Sequence, residues 1–304
     1  TRIVHPARVT AIEQTAEGFL VTTEAGPFTA RRVILASGGQ SLPKSGSDGS
    51  GFRLAASLGH TLTSPIVPAL VPLVLPAGHW ITGLAGLTLP TEVTLRSGTG
   101  KRLFATTGST LCTHVGLSGP AILDVSRHWL VGRVADPHLT LTLNWLPGEC
   151  LESLDRLLVA GQRRGAVATL RERLTDRLAR TLCEQAAAAP AGDLARDARR
   201  RLATLATATP LSITGDRGFT VAEATAGGVP LAEIRLDTME SRVCPGLFLA
   251  GEVLDVDGRI GGFNFQWAWA SGFVAGSAAT RAAAQPATGA AADGDAAASM
   301  ASTS

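Results

Sequence analysis

The sequence predicts an α/β fold, because two short apolar runs that lie far apart along the chain both end in glycine. Residues 33–39 read VILASGG, and residues 246–251 read GLFLAG. Such runs are typical of strands that a parallel sheet buries on both faces. Between them lie a β-rich segment, residues 63–145, and a helical segment, residues 151–208. We therefore expect a parallel sheet whose glycine-ended strands open into one crevice.

The chain begins with a strand-like alternation of apolar and polar residues. Residues 8–13, 18–23 and 28–36 follow this pattern, and a Glu-Ala-Gly turn separates the last two, as in a small antiparallel meander. The third run becomes wholly apolar before its glycines, so we expect it to pass from the meander into the parallel sheet. After a Gly/Ser-rich loop, residues 51–58 predict a short helix that ends at Gly59.

The middle of the chain divides into a β-rich part and a helical part. Short β-like runs such as residues 91–95 and 139–144 recur between turn residues, which predicts a small barrel or a sandwich. From Leu151 to about Ala208, leucines recur every three or four residues, which is the spacing of an amphipathic helix. Residues 209–242 return to strand-like and loop-like segments.

The helical segment carries arginines opposite its leucines, so nucleic-acid binding has to be considered. These arginines are Arg163, Arg164, Arg171, Arg173 and Arg177. Acidic residues are mixed among them, no aromatic residues are placed to stack on bases, and the formal net charge is only +2. We interpret this surface as a solvated helix face and expect no nucleic-acid partner.

The sequence also favours a cytoplasmic protein without a membrane partner. Residues 54–91 carry no charged side chain, but four prolines would interrupt a spanning helix, namely Pro65, Pro68, Pro72 and Pro76. No secretory signal opens the chain. The four cysteines are widely spaced and form no C-x-x-C pair, which favours reduced thiols in a cytoplasmic protein.

Residue spacing disfavours two other kinds of site. The stretch GLSGP at residues 116–120 resembles the nucleophile turn of serine hydrolases, but proline replaces its last glycine and Asp124 follows too soon for the usual residue order. The six histidines show neither H-x-x-x-H nor H-E-x-x-H spacing, so we expect no metal site. The chain has no tyrosine, and the sequence identifies no catalytic acid or base.

The second glycine-ended run leads into a candidate ligand site. Glu252 stands at the carboxyl end of that strand, where open α/β sheets bind ligands. Gly261 and Gly262 follow just before a segment rich in small residues that predicts a helix. The free N–H groups and the dipole at such a helix start attract a phosphate or an electron-rich carbonyl. A tight turn followed by a closely packed helix explains the same glycines, so both interpretations stay open here.

Five segments that span most of the chain resemble one bacterial family of flavoproteins. They are ILASGGQSLPKSGSDGSGF (34–52), PALVPL (68–73), THVGLSGPAILDVSR (113–127), ITGDRGFTVAEATAGGVPL (213–231) and TMESRVCPGLFLAGEVLDVDGRIGGFNFQWAWASG (238–272). Together they resemble the aminoacetone-oxidase-like family of NAD(P)/FAD-dependent oxidoreductases, some of which are linked to bile-acid reduction.

The resemblance implies a particular domain organisation. It implies a glutathione-reductase-like, Rossmann-type FAD domain that is interrupted by an inserted β-barrel-like domain, which itself carries a helical subdomain. The implied division is 1–62 and 229–284 for the FAD domain, 63–150 and 209–228 for the insertion, 151–208 for the helical subdomain, and 285–304 for a disordered tail. Low-complexity Ala, Gly, Ser and Asp residues in that tail agree with disorder.

The resemblance also implies which residues meet FAD. Those after the first strand are Ala36, Ser37, Gly38 and Gly39, with Ser37 in place of the family's usual threonine. Gly251 and Glu252 would lie by the pyrophosphate or the ribityl chain. Gly261, Gly262, Phe263 and Asn264 would begin a helix that points at the pyrimidine edge of the flavin. Arg242 and the loop at residues 227–228 are further candidates for lining a substrate cleft.

One departure from the family pattern qualifies this expectation. The family begins with a strand, a G-x-G-x-x-G-type turn and a helix that hold the ADP half of FAD, and no such segment stands in the first residues of this sequence, which begins at Thr1. We therefore expect an N-terminally truncated FAD-dependent oxidoreductase that passes hydride between flavin and a small organic substrate, with NAD(P)H as a candidate donor. The alternative is a non-catalytic remnant or interaction module that does not retain FAD.

Overall fold

The computed structural model describes residues 2–189 and 194–284, so the predicted tail at residues 285–304 lies outside the described residues. The strands are β1 (Val9–Thr15), β2 (Gly18–Thr23), β3 (Gly26–Ala30), β4 (Val33–Leu35), β5 (Val67–Ala69), β6 (Leu73–Val74), β7 (Thr88–Arg96), β8 (Arg102–Thr113), β9 (Gly116–Ser118), β10 (Thr140–Asn144), β11 (Thr209–Leu211), β12 (Gly215–Asp216), β13 (Ala224–Ala226), β14 (Ile234–Arg235), β15 (Glu240–Ser241) and β16 (Leu247–Leu249). The helices are α1 (Ser50–Ser57), α2 (Pro120–Ala135), α3 (Leu151–Ala160), α4 (Ala166–Leu170), α5 (Asp176–Gln185), α6 (Arg196–Ala208) and α7 (Phe263–Ala284). Short 3₁₀ turns cover Pro43–Ser45, Trp80–Leu84, Gln162–Arg164, Leu231–Glu233 and Gly251–Val253.

The N-terminal strands form the predicted antiparallel meander. Strands β1, β2 and β3 pair in that order, and β2 spans the residues that the alternation predicted. The predicted third strand, residues 28–36, is in fact two strands, β3 and β4, which belong to different sheets. Arg31 and Arg32 lie between them, and this is where the chain leaves the meander.

The two glycine-ended runs become neighbouring parallel strands. A four-stranded sheet has the order β14-β15-β16-β4, and β16 pairs with β4 in parallel, with Phe248 opposite Ile34. The other two pairings of this sheet are antiparallel. Because β4 and β16 run in the same direction, their carboxyl ends and the residues that follow lie at one edge of the sheet.

A larger sheet occupies the middle of the chain. Its order is β11-β10-β7-β8-β9-β6-β12, and each of its pairings is antiparallel. The barrel-like shape implied for this region, like the domain boundaries, stays a prediction. Strands β5 and β13 pair separately, which joins residues 67–69 to residues 224–226 across the sequence.

Helix α2 was not predicted, because residues 63–145 were expected to form β structure. Gly119, at φ 89°, precedes the helix, and Pro120 is its first residue, where the missing N–H costs no helical hydrogen bond. The helix buries a broad face that runs from Ala121 to Leu123, and its exposed side also carries apolar residues, Val131 and Val134. A helix with apolar residues around much of its circumference lacks the clear 3.6-residue period on which helix prediction depends.

Helices α3 to α6 match the predicted helical segment within the described residues. Their leucines enter the same hydrophobic cluster as the large sheet, as Leu158 and Leu178 illustrate. Several of the arginines pair with acidic neighbours at the surface, as in Arg164 with Glu172 and Arg171 with Asp176. In the part of the chain that the structure covers, no helix combines the length and the apolar character that a membrane crossing requires.

A second hydrophobic cluster lies around the four-stranded sheet. It joins Phe248 and Leu249 of β16 to Phe52 of α1 and Ala275 of α7. A small third cluster contains Ala69, Leu123 and Ala226, and so connects β5, α2 and β13. These contacts join residues 67–69 and 224–226 to the helix that packs on the large sheet.

Candidate functional site

A cavity of about 530 Å³ lies at the carboxyl ends of β4 and β16. Its lining combines residues after both strands with the start of α7 and with residues from the middle of the chain. They are Ala36, Gly38, Leu42, Leu70, Glu223, Ala250, Gly251, Glu252, Arg259, Ile260, Gly261, Gly262, Asn264, Phe265, Ala268 and Gly272. The volume falls in the range of about 300–1,000 Å³ that cofactor and ligand pockets usually have.

The turn after β4 brings its backbone close to neighbouring segments. Gly38 has φ 74°, a conformation that glycine adopts without strain. A Cβ on Gly39 would lie 2.5 Å from Thr225 Oγ1 and 2.9 Å from Glu252 Oε2. The Gly39 N–H instead donates to Glu252 Oε2 at 3.0 Å. Glycine at this position thus permits a tight junction between β4, β13 and the turn after β16.

Glu252 is the polar centre of that junction. Its Oε2 accepts from the Gly39 N–H, and its Oε1 accepts from the Thr225 N–H at 2.6 Å. Burial raises the pKa of Glu252 above its ordinary value, although the two backbone N–H bonds act in the opposite direction. Thr225 Oγ1 in turn accepts from the N–H groups of Gln40 and Ser41. Glu252 and Thr225 therefore hold the glycine turn at the cavity wall.

The start of α7 supplies backbone N–H groups to the same cavity. The Gln266 N–H donates to Gly262 O at 2.9 Å, so Gly262 is the residue from which the helix begins. The N–H groups of the residues just after it have no preceding helical turn to which they can donate. Asn264 Oδ1 accepts from the Gly258 N–H at 2.8 Å, which fixes the loop before the helix. The helix N-terminus is thus a pre-formed site for negative charge.

Two buried hydroxyl groups lie beside the glycine turn. Ser37 Oγ and Ser47 Oγ have no hydrogen-bond partner within the part of the chain that the structure describes. A Cβ on Gly38 would lie 2.9 Å from Ser47 Oγ, and a Cβ on Gly51 would lie 1.7 Å from Ser37 Oγ. Buried polar atoms are normally hydrogen-bonded, so unpartnered hydroxyls next to a cavity are a feature of a site that accepts a polar ligand.

Seven of the ten predicted cofactor-binding residues line this cavity: Ala36, Gly38, Gly251, Glu252, Gly261, Gly262 and Asn264. Ser37 and Gly39 lie behind its wall. Phe263 does not line the cavity itself, but its ring packs under the guanidinium of Arg259, which does, at 4.8 Å. The residues not predicted for the site include Leu70 and Glu223, which reach the cavity only through tertiary packing. Both lie in segments that resemble the family, but neither residue type indicates a ligand site by itself.

The other sequence candidates lie away from this cavity. Arg242 is exposed, and its Nε donates to Ile234 O, so it supports the β14–β15 turn. Gly227 lines a separate cavity, and Gly228 O accepts from the Thr63 N–H. Among residues 2–189 and 194–284, His, Cys, Asp and Glu side chains form no group of three or more that could hold a metal ion.

A chain of hydrogen bonds joins Ser241, His60 and Glu233. His60 Nε2 lies 2.8 Å from Ser241 Oγ, and His60 Nδ1 lies 2.6 Å from Glu233 Oε2. The order resembles that of a hydrolase triad, but Ser241 and His60 are both buried. Ser241 Oγ also accepts from the N–H groups of Val243 and Cys244. The hydroxyl is therefore enclosed in a turn, and the network is structural.

The fold and the cavity define a class of protein: a Rossmann-like α/β protein with a ligand cavity at the ends of parallel strands and at a helix N-terminus. The family described as "HI0933-like protein Rossmann domain" matches residues 1–278. The chain belongs to this HI0933-like Rossmann family, which is of the FAD-binding flavoprotein type. The finer aminoacetone-oxidase-like grouping stays a prediction.

Three curated proteins to which the chain is similar carry two different names. The chain is 36% identical to a 3-dehydro-bile acid delta(4,6)-reductase from Clostridium scindens over 91% of its own length and 69% of the relative. It is 33% identical to the ribosomal RNA dihydrouridine synthase of Escherichia coli, over 87% of this chain and 64% of the relative. It is 29% identical to the Haemophilus influenzae protein of the same name, over 84% of this chain and 62% of the relative. The chain thus spans about two thirds of the length of these relatives.

Proposed function

We propose that this chain forms part of an FAD-dependent oxidoreductase that transfers hydride between bound flavin and a small organic substrate, with NAD(P)H as the donor. The observation that carries the proposal is the cavity where the ends of β4 and β16 meet the N-terminus of α7. Membership of a family of flavoprotein type, with a reductase among the relatives, supports the same chemistry.

Several properties of the cavity suit FAD. Gly38, Gly261 and Gly262 present backbone rather than side chain, so a flat or extended ligand has room to approach. The buried hydroxyls of Ser37 and Ser47 lie behind this wall, against Gly51 and Gly38, and so support the glycine turn without reaching the cavity surface. We infer that the ten residues expected from the sequence surround the cofactor, seven of them at the cavity surface and three supporting it.

When bound, FAD supplies the hydride chemistry. The N–H groups at the start of α7 would stabilise negative charge at the ligand edge beside them. Glu252 would keep the turn after β4 in place through its bonds to Gly39 and Thr225. In this role Glu252 positions the site, and the catalytic acid or base stays unassigned.

The middle of the chain is proposed to form the substrate side of the site. Leu70 and Glu223 reach the cavity from this part of the chain. We propose that residues 63–150 and 209–228 form the inserted, barrel-like domain and that residues 151–208 form its helical subdomain. Residues 1–62 and 229–284 would then form the FAD domain.

Ribosomal RNA is a second candidate substrate, because two relatives are named as ribosomal RNA dihydrouridine synthases. Against it, several arginines of the helical segment pair with acidic side chains, as Arg173 does with Glu149. Our proposal therefore keeps a small molecule as substrate and no nucleic-acid partner. NAD(P)H oxidation, followed with a small conjugated ketone and with uridine-containing ribosomal RNA in parallel, distinguishes the two substrates.

Titration with FAD, followed by the flavin absorbance spectrum, tests the proposal. The matched variants are Gly262→Ala and Gly100→Ala, because both glycines have positive φ, 89° and 84°, and an added Cβ meets nothing within 4 Å at either. Only Gly262 lines the cavity. We expect Gly262→Ala to weaken FAD binding by about tenfold or more and Gly100→Ala to leave it unchanged.

The same titration on the full gene product separates the remaining alternatives. FAD bound by that product and weakened by Gly262→Ala would support the proposal, including the expectation that part of the site lies outside these residues. If neither this chain nor the full gene product binds FAD, the proposed function is overturned and the non-catalytic interaction module is favoured.

A further inference from the structure

A second cavity, of about 340 Å³, shares a wall with the first. The loop between the Gly251–Val253 turn and α7 contributes to both cavities. Asp255 and Asp257 of this loop line the second cavity, whereas Arg259 and the residues that follow line the first. The other side of the second cavity comes from α2 and from the β7–β8 hairpin, through residues such as Arg127 and Phe104.

Asp257 has an unused hydrogen-bond acceptor in this cavity wall. Its side chain is only 7% exposed, and its Oδ1 accepts from Arg127 Nη1 at 2.8 Å. Its Oδ2 is buried, and among residues 2–189 and 194–284 it has no hydrogen-bond partner. Burial raises the pKa of Asp257, which Arg127 counteracts. A buried carboxylate oxygen without a donor is costly, so a ligand that donates a hydrogen bond to it would be stabilised.

The charges that line the second cavity favour a ligand that donates hydrogen bonds over a ligand that accepts them. Two carboxylates, those of Asp255 and Asp257, face one guanidinium, that of Arg127. His128 also lines the cavity, and burial together with Arg127 lowers its pKa to about 4. Its imidazole is therefore neutral near neutral pH. A ligand with N–H donors fits this balance, whereas an anion would add to the excess of negative charge.

The rest of the lining favours a flat ligand body. The ring of His128 stacks on that of Phe104, with a centroid distance of 4.0 Å and an interplanar angle of 25°. Apolar side chains beside this stack include Leu95, Leu103 and Val131. A volume near the lower end of the usual range of about 300–1,000 Å³ for ligand pockets suits a ligand of one or two rings.

We propose that this second cavity binds a planar nitrogen heterocycle that donates N–H groups to Asp257. Arg127 holds the carboxylate by its Oδ1 and leaves Oδ2 for the ligand. The site goes beyond the proposed flavin chemistry and does not depend on it, because none of its groups belongs to the flavin cavity. A failure of FAD binding would therefore leave this proposal intact, and the reverse holds as well.

Isothermal titration calorimetry with 2-aminopyridine tests the proposal on the chain without flavin. In its protonated form this probe is a flat ring with two adjacent N–H donors, the ring N–H and the amino group, so the titration is run at a pH where that form is present and either donor can bond to Asp257 Oδ2. Pyridine-2-carboxylate is the control ligand, because it has the same ring but carries an anionic acceptor group. We expect a single site for 2-aminopyridine and at least about tenfold weaker binding of the control.

Two variants locate the binding. Asp257→Asn removes the acceptor charge, and Leu103→Trp narrows the mouth of the cavity from a side chain that is 49% exposed and outside the core. We expect each to weaken 2-aminopyridine binding by about tenfold or more. Asp237→Asn is the matched control, because Asp237 is an exposed carboxylate away from the cavity, and it should leave binding unchanged.

If Asp257→Asn does not fold, Leu103→Trp still tests the site. The proposal is overturned if 2-aminopyridine shows no binding at millimolar concentration. It is also overturned if pyridine-2-carboxylate binds as tightly, or if Leu103→Trp leaves the affinity unchanged.

Discussion

The seven-stranded sheet and the four-stranded sheet differ in how completely the apolar side chains around them are buried. Around the seven-stranded sheet, large side chains such as Trp145, Leu143 and Leu117 are almost completely buried. Next to the four-stranded sheet, α7 exposes Phe265, Trp269 and Phe273, at 67%, 69% and 76%. These three residues are four apart, so they form one apolar stripe along the helix.

The difference separates the part of the molecule that supplies stability from the part that forms the candidate cofactor site. Apolar burial is the dominant stabilising term, so the extensive cluster around the seven-stranded sheet should carry much of the free energy of folding. Around the four-stranded sheet a smaller hydrophobic cluster is joined by buried hydrogen bonds, such as those of Ser241 and Glu252. The bonds of Glu252 fix the turn at the cavity wall without covering the cavity.

The largest expected effect is a difference in the free energy of unfolding between variants of two tryptophans, one buried and one exposed. Trp145→Ala should lower the free energy of unfolding by about 3–5 kcal/mol, because it leaves a cavity in the core and also removes the Trp145 Nε1 bond to Thr209 Oγ1. Trp269→Ala should change it by less than about 0.5 kcal/mol, since that side chain is already exposed. Urea unfolding followed by circular dichroism measures both. Equal losses would contradict the division into two regions.

A smaller effect is expected from the hydrogen-bond network beside the four-stranded sheet. Ser241→Ala should cost about 1–3 kcal/mol, because it leaves the buried N–H groups of Val243 and Cys244 and the His60 ring without their partner. Ser45→Ala is the control, as Ser45 Oγ donates to Leu42 O at an exposed position. The same urea experiment applies, and a Ser241→Ala protein as stable as the control would show that the network contributes little.

The pH dependence of stability provides a finer test in the region of the larger sheet. The pKa of His128 is lowered from 6.5 to about 4 in the folded chain, first by burial and then by Arg127. The unfolded chain therefore binds a proton that the folded chain does not, and stability should fall as the pH decreases from about 6.5 towards 4. His128→Phe, which preserves a ring beside Phe104, should make the urea midpoint less dependent on pH over this interval. An unchanged pH slope would argue against the neutral, buried imidazole.

The smallest effect is expected at the solvated helix face. Asp176 pairs with both Arg171 and Arg180, and all three side chains are about half exposed. Exposed ion pairs contribute little in water, so Asp176→Asn should leave the urea midpoint within experimental error. A clear loss of stability would mean that this charged surface has a structural role.

The sequence by itself determined the features that depend on local pattern. The runs VILASGG and GLFLAG became the parallel strands β4 and β16, and the leucine spacing of residues 151–208 became α3 to α6. The spacing of apolar residues and the positions of glycines can both be read from a short stretch of sequence. Apolar spacing records which face of a helix or strand is buried. For the same reason, seven of the ten expected cofactor residues lie at the cavity surface, because they cluster in the glycine-rich segments themselves.

Only the tertiary structure decided the contacts that give these segments their chemistry. Glu252 meets Gly39 across 213 positions of the chain, and Arg127 meets Asp257 across 130. Helix α2, which carries Arg127 and His128, left no clear period because apolar residues stand on its exposed side as well as on its broad buried face. Local pattern records burial along one element, whereas a hydrogen bond between distant residues depends on how the elements pack, and no single window of sequence contains that information.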